Sequence, residues 1–329
     1  MVKLRDARYC NLKLLLIFLV IYGHLIEPGI YQSKVLMTQY KWIYLFHMPL
    51  FSFLSGLFLQ NSKACGRQII KMLSLYIVLQ TVAVLLGNGK VKLLTPYWHL
   101  WYLLSYSAWA GLGWLWFRFF RGKGRIVILT LSIFVGCLAG LHPGIGREHS
   151  LSRTLVFLPF FWMGLICNHQ FRWERLRIVS VPAIAVAILV MLQWGDRISA
   201  VFLYQAAPYG KLCNGVELRL LCYLLGTLLC MILLAFIPRK RFPFTRAGAD
   251  TMPAYLIHAP IVLKIRELDI LWPYHLLISG AILYAAYKLL QWHSRLYGIV
   301  PTERRGGRCL PFRKSMKNTR SRSIGSCYP

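Results

Sequence analysis

Two ionisable residues stand in the first apolar stretch of the chain, at a spacing that puts them on one face of a helix. Lys13 and His24 are eleven positions apart, and eleven steps of about 100° return the second side chain to within about 20° of the first. They then lie roughly 16 Å apart along the axis, at about 1.5 Å per residue. Glu27 follows three residues after His24 on the same face and could orient the imidazole. A snorkelling lysine and a histidine bonded to a neighbouring helix are the alternative explanations.

A second histidine, His47, lies in the next apolar stretch, within the segment Phe46 to Gly56. Pro49 predicts a kink that frees a backbone carbonyl near this histidine. Small residues that permit close helix contact follow at Ser52, Ser55 and Gly56. The segment therefore fits either a polar site beside His24 or a packing motif with an incidental histidine.

Five further polar or aromatic residues are candidate ligand contacts. Trp98, Trp101 and Tyr102 open the fourth apolar stretch, where an aromatic belt at a membrane interface is the alternative explanation. Arg153 opens the sixth, where an arginine either snorkels to the interface or binds an anion. His258 lies between two prolines, a pattern that predicts a broken or short helix around a cavity.

The composition shows what must position these residues. Hydrophobic residues make up 57% of the 329-residue chain, charged residues 15%, and the mean hydropathy is +0.52. A soluble protein carries about 25% charged residues, so the chain is predicted to be an all-α, polytopic membrane protein. Its net charge of +29 fits basic loops beside anionic lipid, and we expect no nucleic-acid partner.

About ten apolar stretches are long enough to be transmembrane helices. They cover residues 12–30, 40–60, 68–87, 97–117, 125–142, 153–169, 178–194, 216–237, 252–265 and 273–293. With the N-terminus inside, the inside segments carry 27 Lys and Arg and the outside segments 11. The positive-inside rule therefore predicts that both termini are cytoplasmic.

Two regions follow from the change in composition near residue 300. Residues 1–300 form the predicted membrane domain, and residues 301–329 form a basic tail that is predicted to be disordered and cytoplasmic. The nine cysteines contain no CxxC pair, so they are interpreted as small buried hydrophobic residues. No metal-ligand spacing is present, and no metal is expected.

The motifs together resemble those of the acyltransferase family 3 membrane proteins, in particular the stand-alone branch similar to fucose 4-O-acetylases. The family pattern of a basic residue, ten positions and a histidine is matched by Lys13 through His24. The FHMPLF-FLSG signature is matched by residues 46–56, the WYL segment by 101–103, the RT..FLPFF..G segment by 153–164 and YLIH by 255–258. Where members often carry paired arginines followed by Pro-Tyr, this chain has Arg67 and Lys71.

The resemblance implies transfer of an acyl group, in most members acetyl, from cytoplasmic acyl-CoA to a hydroxyl of a carbohydrate or cell-surface glycan. It implies that His24 is the general base or the nucleophile, that Glu27 orients it, and that His47 positions the acceptor or stabilises the oxyanion. Lys13, Arg67 and Lys71 would then contact the CoA phosphates. The implied acceptor contacts are Trp98, Trp101, Tyr102, Arg153 and His258.

The implied setting is a bacterial plasma membrane, with lipid, acyl-CoA and a carbohydrate acceptor as partners. Acetyl-CoA is a co-substrate, and no tightly bound cofactor is expected. Two other classes stay open from the residues: a transporter with broken helices around a midplane site, and a non-catalytic membrane module of the same fold.

Overall fold

The computed structural model describes residues 6–86, 91–92, 94–167, 171–209, 214–268 and 270–296, and within these ranges the chain is helical with no β-strand. The all-α prediction is confirmed. The α-helices are α1 Ala7–Ile26, α2 Lys34–Leu57, α3 Ser62–Leu86, α4 Trp101–Phe119, α5 Arg125–Leu138, α6 Leu151–Ile166, α7 Arg177–Trp194, α8 Ala200–Leu203, α9 Gly215–Phe236, α10 Met252–Arg266 and α11 Tyr274–Leu296.

The ten predicted apolar stretches each coincide with one long helix of the described chain, and the sequence did not predict the four-residue α8. Four helical segments combine the length and apolar composition that crossing a membrane requires: Ala7–Gly29, Ser62–Leu86, Trp173–Arg197 and Gly215–Phe236. On α7, the side chains of Ile178 and Leu192 are 85% and 78% exposed, as expected of a helix face that contacts lipid rather than water. The exact number of spans and the cytoplasmic position of both termini stay predictions, and the tail 301–329 lies outside the described residues.

Helix α1 is held at its first turn by an ion-pair network around the buried Arg8. Arg8 is 0% exposed and pairs with Glu174. Arg239 joins the same carboxylate at 2.8 Å and also contacts Asp6 at 3.3 Å. Asn11 Nδ2 donates to two carbonyl groups of the segment that follows α9, at 2.9 and 3.0 Å. The start of α1 is therefore fixed against two later segments of the chain, which sets the rotation of the face that carries Lys13 and His24.

Helices α2 and α6 pack with their backbones in close contact. A Cβ added at Gly56 would fall on the carbonyl oxygen of Phe161, and one added at Gly164 would fall on that of Phe53. Glycine at both positions is what allows the two helices to approach so closely. The predicted small-residue contact is confirmed for Gly56, and it fixes the helix that carries His47.

Helix α10 corrects one prediction. The prolines around His258 predicted a broken or short helix, but α10 runs without a break from Met252 to Arg266 and contains Pro260. Pro253 lies in the first turn, where a missing N–H group removes no helical hydrogen bond. The prediction of a short helix is confirmed, since α10 has 15 residues.

The cysteine interpretation is confirmed in the described part of the chain. Cys10, Cys65, Cys137, Cys222 and Cys230 are free thiols and buried, and Cys167 is free and partly buried.

Candidate active site

A cavity of about 380 Å³ runs through the bundle between α1, α2, α4 and α10. Lys13 and Lys71 line one end, and Arg153 and Tyr204 line the other. Eight of the eleven residues predicted as site residues line it: Lys13, His24, His47, Lys71, Trp98, Trp101, Tyr102 and Arg153. The other three, Glu27, Arg67 and His258, do not line it. The shared face of Lys13 and His24 is thus confirmed, because both side chains reach this cavity from one unbroken helix.

His24 occupies the last turn of α1 and lies beside two groups that could hold its ring. Its Nδ1 is 3.4 Å from the Tyr44 hydroxyl and 3.7 Å from Oε2 of Glu27. The Trp98 ring centroid is 4.7 Å from the imidazole centroid. If the Nδ1 proton faces the carboxylate and the hydroxyl oxygen, Nε2 carries the lone pair that a base or a nucleophile needs.

Glu27 is held more closely by an arginine than by the histidine it was predicted to orient. Arg266, the last residue of α10, contacts Oε2 of Glu27 at 2.5 Å through Nη2. The same guanidinium donates to the backbone carbonyl of His24, with its Nε at 2.8 Å from that oxygen. Its central carbon lies 5.2 Å from the Trp98 ring centroid, within cation–π range. Arg266 therefore ties the end of α1 to the end of α10 next to the catalytic candidate.

His47 is buried and its tautomer is set by the backbone. Nδ1 lies 2.8 Å from the carbonyl oxygen of Ile43. A carbonyl only accepts hydrogen bonds, so Nδ1 carries the proton and Nε2 of the neutral ring is an acceptor. Of the two implied roles, this tautomer favours positioning of an acceptor hydroxyl, because an oxyanion would need a donor at Nε2.

His258 lies behind His24, outside the cavity lining. It is 0% exposed, and its Nδ1 bonds the Tyr255 carbonyl at 2.6 Å. Its ring centroid lies 5.7 Å from that of His24 and 5.5 Å from that of His99. His258 is thus placed to support the His24 ring by stacking, and the predicted direct contact with an acceptor is not available to it from this position.

The basic residues at the Lys13 end separate into two groups. Lys13 Nζ donates to the carbonyl of Ala249 at 2.9 Å and lines the cavity. Lys71 is exposed and also lines it. Arg67 is exposed on the same helix, α3, but away from the cavity.

At the opposite end, Arg153 is 9% exposed and is enclosed by aromatic rings. Its Nε donates to the Tyr204 carbonyl at 3.0 Å. Its central carbon lies 4.2 Å from the Tyr204 ring centroid and 4.8 Å from that of Trp101. Tyr102 is instead tied to α2, where its hydroxyl bonds Ser55 Oγ at 2.5 Å.

Sequence reasoning assigned no site role to Arg266, Tyr44 or Tyr204. Arg266 is one of the 11 basic residues of the predicted outside segments, and its position in the sequence indicates no contact with His24. Tyr44 stands three residues before His47, one helical turn away, and that spacing is the signal that could have found it. Tyr204 immediately follows the unpredicted helix α8 and had no signal in the sequence.

A bundle of apolar helices surrounds a cavity that is lined by His24, His47 and His99 and has cations at each end. This arrangement defines a membrane protein with an internal polar site. The family model described as an acyltransferase domain, acyltransferase family 3, matches residues 9–290. The chain therefore belongs to this family and is a membrane acyltransferase. No curated protein and no solved structure matches the chain.

Proposed function

We propose that this acyltransferase transfers an acetyl group from acetyl-CoA to a hydroxyl group of a carbohydrate. The observation that carries the proposal is one continuous cavity, in which a basic end, the histidines His24, His47 and His99, and an aromatic, cationic end follow one another. Its volume falls within the range of about 300–1,000 Å³ that is usual for small-molecule sites. The alternatives of a transporter and a non-catalytic module lack comparable support, since the matching family is one of acyltransferases.

The donor enters at the Lys13 end. The phosphates of CoA stay near Lys71, which is exposed and can meet a polyanion in water. The pantetheine arm lies along the face of α1 that carries Lys13 and His24. The positive-inside prediction makes this the cytoplasmic end, where acetyl-CoA is made, and we expect the membrane to be a bacterial plasma membrane.

The acceptor occupies the part of the cavity near Trp98 and Trp101. Aromatic rings suit the apolar face of a sugar, and each offers a large contact area. His47 accepts a hydrogen bond through Nε2 from a second hydroxyl of the sugar, and this contact directs the reacting hydroxyl toward His24 and the thioester.

His24 serves as the general base. Its Nε2 takes the hydroxyl proton while the acceptor oxygen bonds to the thioester carbonyl carbon. The carbon–sulfur bond then breaks, and the proton passes to the departing thiolate, giving free CoA and an acetyl ester. Glu27 stabilises the transient imidazolium through its carboxylate, 3.7 Å from Nδ1. Thioester and ester differ little in difficulty, so positioning supplies much of the rate enhancement.

The test uses proteoliposomes of uniform orientation and acetyl-CoA labelled in the acetyl group. The proposal predicts one labelled ester and one free CoA per turnover with a saccharide acceptor, and only when acetyl-CoA faces the Lys13 end. Passage of unmodified saccharide without release of CoA would establish the transporter instead. Neither reaction, with several saccharides present, would favour the non-catalytic module.

A further inference from the structure

A second opening meets the cavity at its Arg153 end. This opening, called the vestibule below, encloses about 640 Å³ and shares Trp98, Trp101, Arg153 and Tyr204 with the cavity. Its remaining lining includes the two exposed cations Lys92 and Arg147. A molecule in the vestibule therefore lies one aromatic ring away from His24, because Trp98 contacts both spaces.

The vestibule has three positive charges and no compensating carboxylate. Lys92, Arg147 and Arg153 line it, and no Asp or Glu is present among its described lining residues. Arg147 and Arg153 both lie over the ring of Tyr204, at 5.8 and 4.2 Å from its centroid. Two guanidinium groups over one ring repel each other, and an anion between them would relieve that repulsion.

Arg153 distinguishes the vestibule from an exposed basic surface, because it is a buried cation. Its side chain is largely buried, and its contacts in the described structure are the Tyr204 carbonyl and two aromatic rings, none of them anionic. Burial of an arginine without a carboxylate is costly unless its charge meets a ligand. The guanidinium fork also matches a carboxylate or phosphate in two parallel hydrogen bonds.

The backbone around the vestibule is fixed in advance of binding. Gln80 of α3 is 2% exposed, and its amide nitrogen donates to the carbonyls of Lys92 and Thr95 at 3.1 and 3.0 Å. Its amide oxygen accepts from the Tyr97 N–H at 2.8 Å. The Leu94 carbonyl in turn accepts a hydrogen bond at 2.9 Å from the backbone of the segment that carries Arg147. The loops that carry Lys92 and Arg147 are thus hydrogen-bonded to each other, and Arg153 lies on helix α6, so the cations are positioned before binding and the cost of binding is lower.

We infer that the acceptor is an acidic saccharide, whose carboxylate or phosphate binds between Arg147 and Arg153 while a sugar hydroxyl reaches His24. This inference rests on the proposed function and names the substrate class of the same site. Carboxylate and phosphate share the required chemistry, a compact anion with two acceptor oxygens. The aromatic rings beside the arginines fit the sugar rather than a free inorganic ion.

The test is equilibrium binding to the full chain in phosphatidylcholine nanodiscs, which leave both faces accessible. The probes are labelled trigalacturonic acid, its methyl ester, which has the same rings without charge, and a hexose 1-phosphate. We expect the acid to bind at least about tenfold more tightly than the ester, equivalent to about 1.4 kcal/mol. The preference should decline as salt is raised.

Variants of the vestibule cations test which residues cause the preference for the acid over its ester. Arg147→Gln and Arg153→Gln should each remove most of the preference for the acid. Lys34→Gln is the matched control, because Lys34 is an exposed cation at the start of α2 that does not line the vestibule. It should leave the preference intact. Preference for the hexose phosphate over the triuronate would assign the site to phosphorylated saccharides, within the same inference.

Three binding results would overturn the inference. The first is equal binding of acid and ester, and the second is an equal loss with Lys34→Gln, which would indicate a diffuse field. The third is displacement of the triuronate when phosphatidylglycerol is added to the phosphatidylcholine nanodisc, which would assign the vestibule to a lipid headgroup. Binding does not require turnover, so a failure of acetyl transfer can be distinguished from a failure to bind the acidic saccharide. Efficient transfer to the ester alone would leave the proposed function standing and remove the acidic acceptor.

Discussion

Arg266 gives the sharpest prediction, because three contacts of one side chain converge on the end of α1. Arg266→Ala removes the contact with Glu27, the bonds to the His24 carbonyl and the cation–π contact with Trp98. Both partners of the ion pair are mostly buried, with side chains 20% and 25% exposed. A hydrogen bond to a charged group contributes about 1.5–3 kcal/mol, so we expect a stability loss of about 2 kcal/mol.

The effect on catalysis should be larger than the effect on stability suggests. Without Arg266, the carboxylate of Glu27 is free to move relative to His24, and a shift of about 1 Å can cost about 10²-fold in rate. We therefore expect kcat to fall about 10²-fold in Arg266→Ala. The KM for acetyl-CoA should be unchanged, because the donor phosphates bind at the other end of the cavity. Arg266→Lys keeps the charge but not the fork and should retain about a tenth of the activity.

The assay is release of free CoA from acetyl-CoA under saturating acceptor, combined with thermal unfolding of the same preparations. Lys264→Ala is the matched control. Lys264 lies two residues earlier on α10 and forms an exposed pair with Glu267 at 3.1 Å. Exposed pairs contribute about 0–1 kcal/mol, so both readouts should match the wild type. A kcat for Arg266→Ala within about twofold of wild type, or equal losses in both variants, would refute the positioning role.

Three more predictions follow from the packing and the cavity. Gly164→Ala places a Cβ against the Phe53 carbonyl and should lower the free energy of unfolding by about 1–3 kcal/mol in denaturant titrations. The control is Gly111→Ala, whose Cβ meets no atom within 4 Å and which should not destabilise the protein. Lys71→Gln should raise the KM for acetyl-CoA several-fold with little change in kcat. It should leave the KM for acetyl-pantetheine, which carries none of the phosphates, unaffected. His47→Ala should lower kcat about 10²-fold in the same CoA-release assay, because the sugar loses the hydrogen bond that positions its reacting hydroxyl.

Each of these three predictions can be contradicted by one result. Equal unfolding curves for the two glycine variants would show that α2 and α6 do not need close contact. A parallel rise in KM for acetyl-pantetheine would place Lys71 near the thioester rather than the phosphates. Unchanged turnover in His47→Ala would leave that histidine a packing residue.

The sequence predicted those parts of the site that depend on one helix at a time. Helical periodicity places Lys13 and His24 on one face whatever surrounds α1, and the structure puts both in the cavity. Small residues on α2 indicated a close helix contact, and Gly56 makes it. Apolar length located ten helices, because a run of about 20 such residues has few other stable states in lipid.

The rest depends on which helix ends meet, and no local pattern encodes that. Arg266 lies 242 residues after His24, yet donates to its carbonyl. In the sequence, Arg266 indicates only membrane topology, since a charged residue at a helix end is ordinarily solvated. Of the predicted broken or short helix around His258, the short helix is found and the break is not, because proline is tolerated inside a helix when neighbouring helices hold it in place. Tyr204 directly follows α8, a helix of four residues that is too short to show a periodic pattern in the sequence.

The most direct test of the whole account is acetyl transfer by His24→Ala. The variant is compared with wild type and with His142→Ala, an exposed histidine outside the cavity, at matched amounts of folded protein in the proteoliposome assay. We expect labelled ester from wild type and His142→Ala, and a loss of at least about 10²-fold in His24→Ala with acetyl-CoA still bound. Equal transfer by His24→Ala and wild type would contradict the assignment of His24 as the base, and with it the path drawn through the cavity.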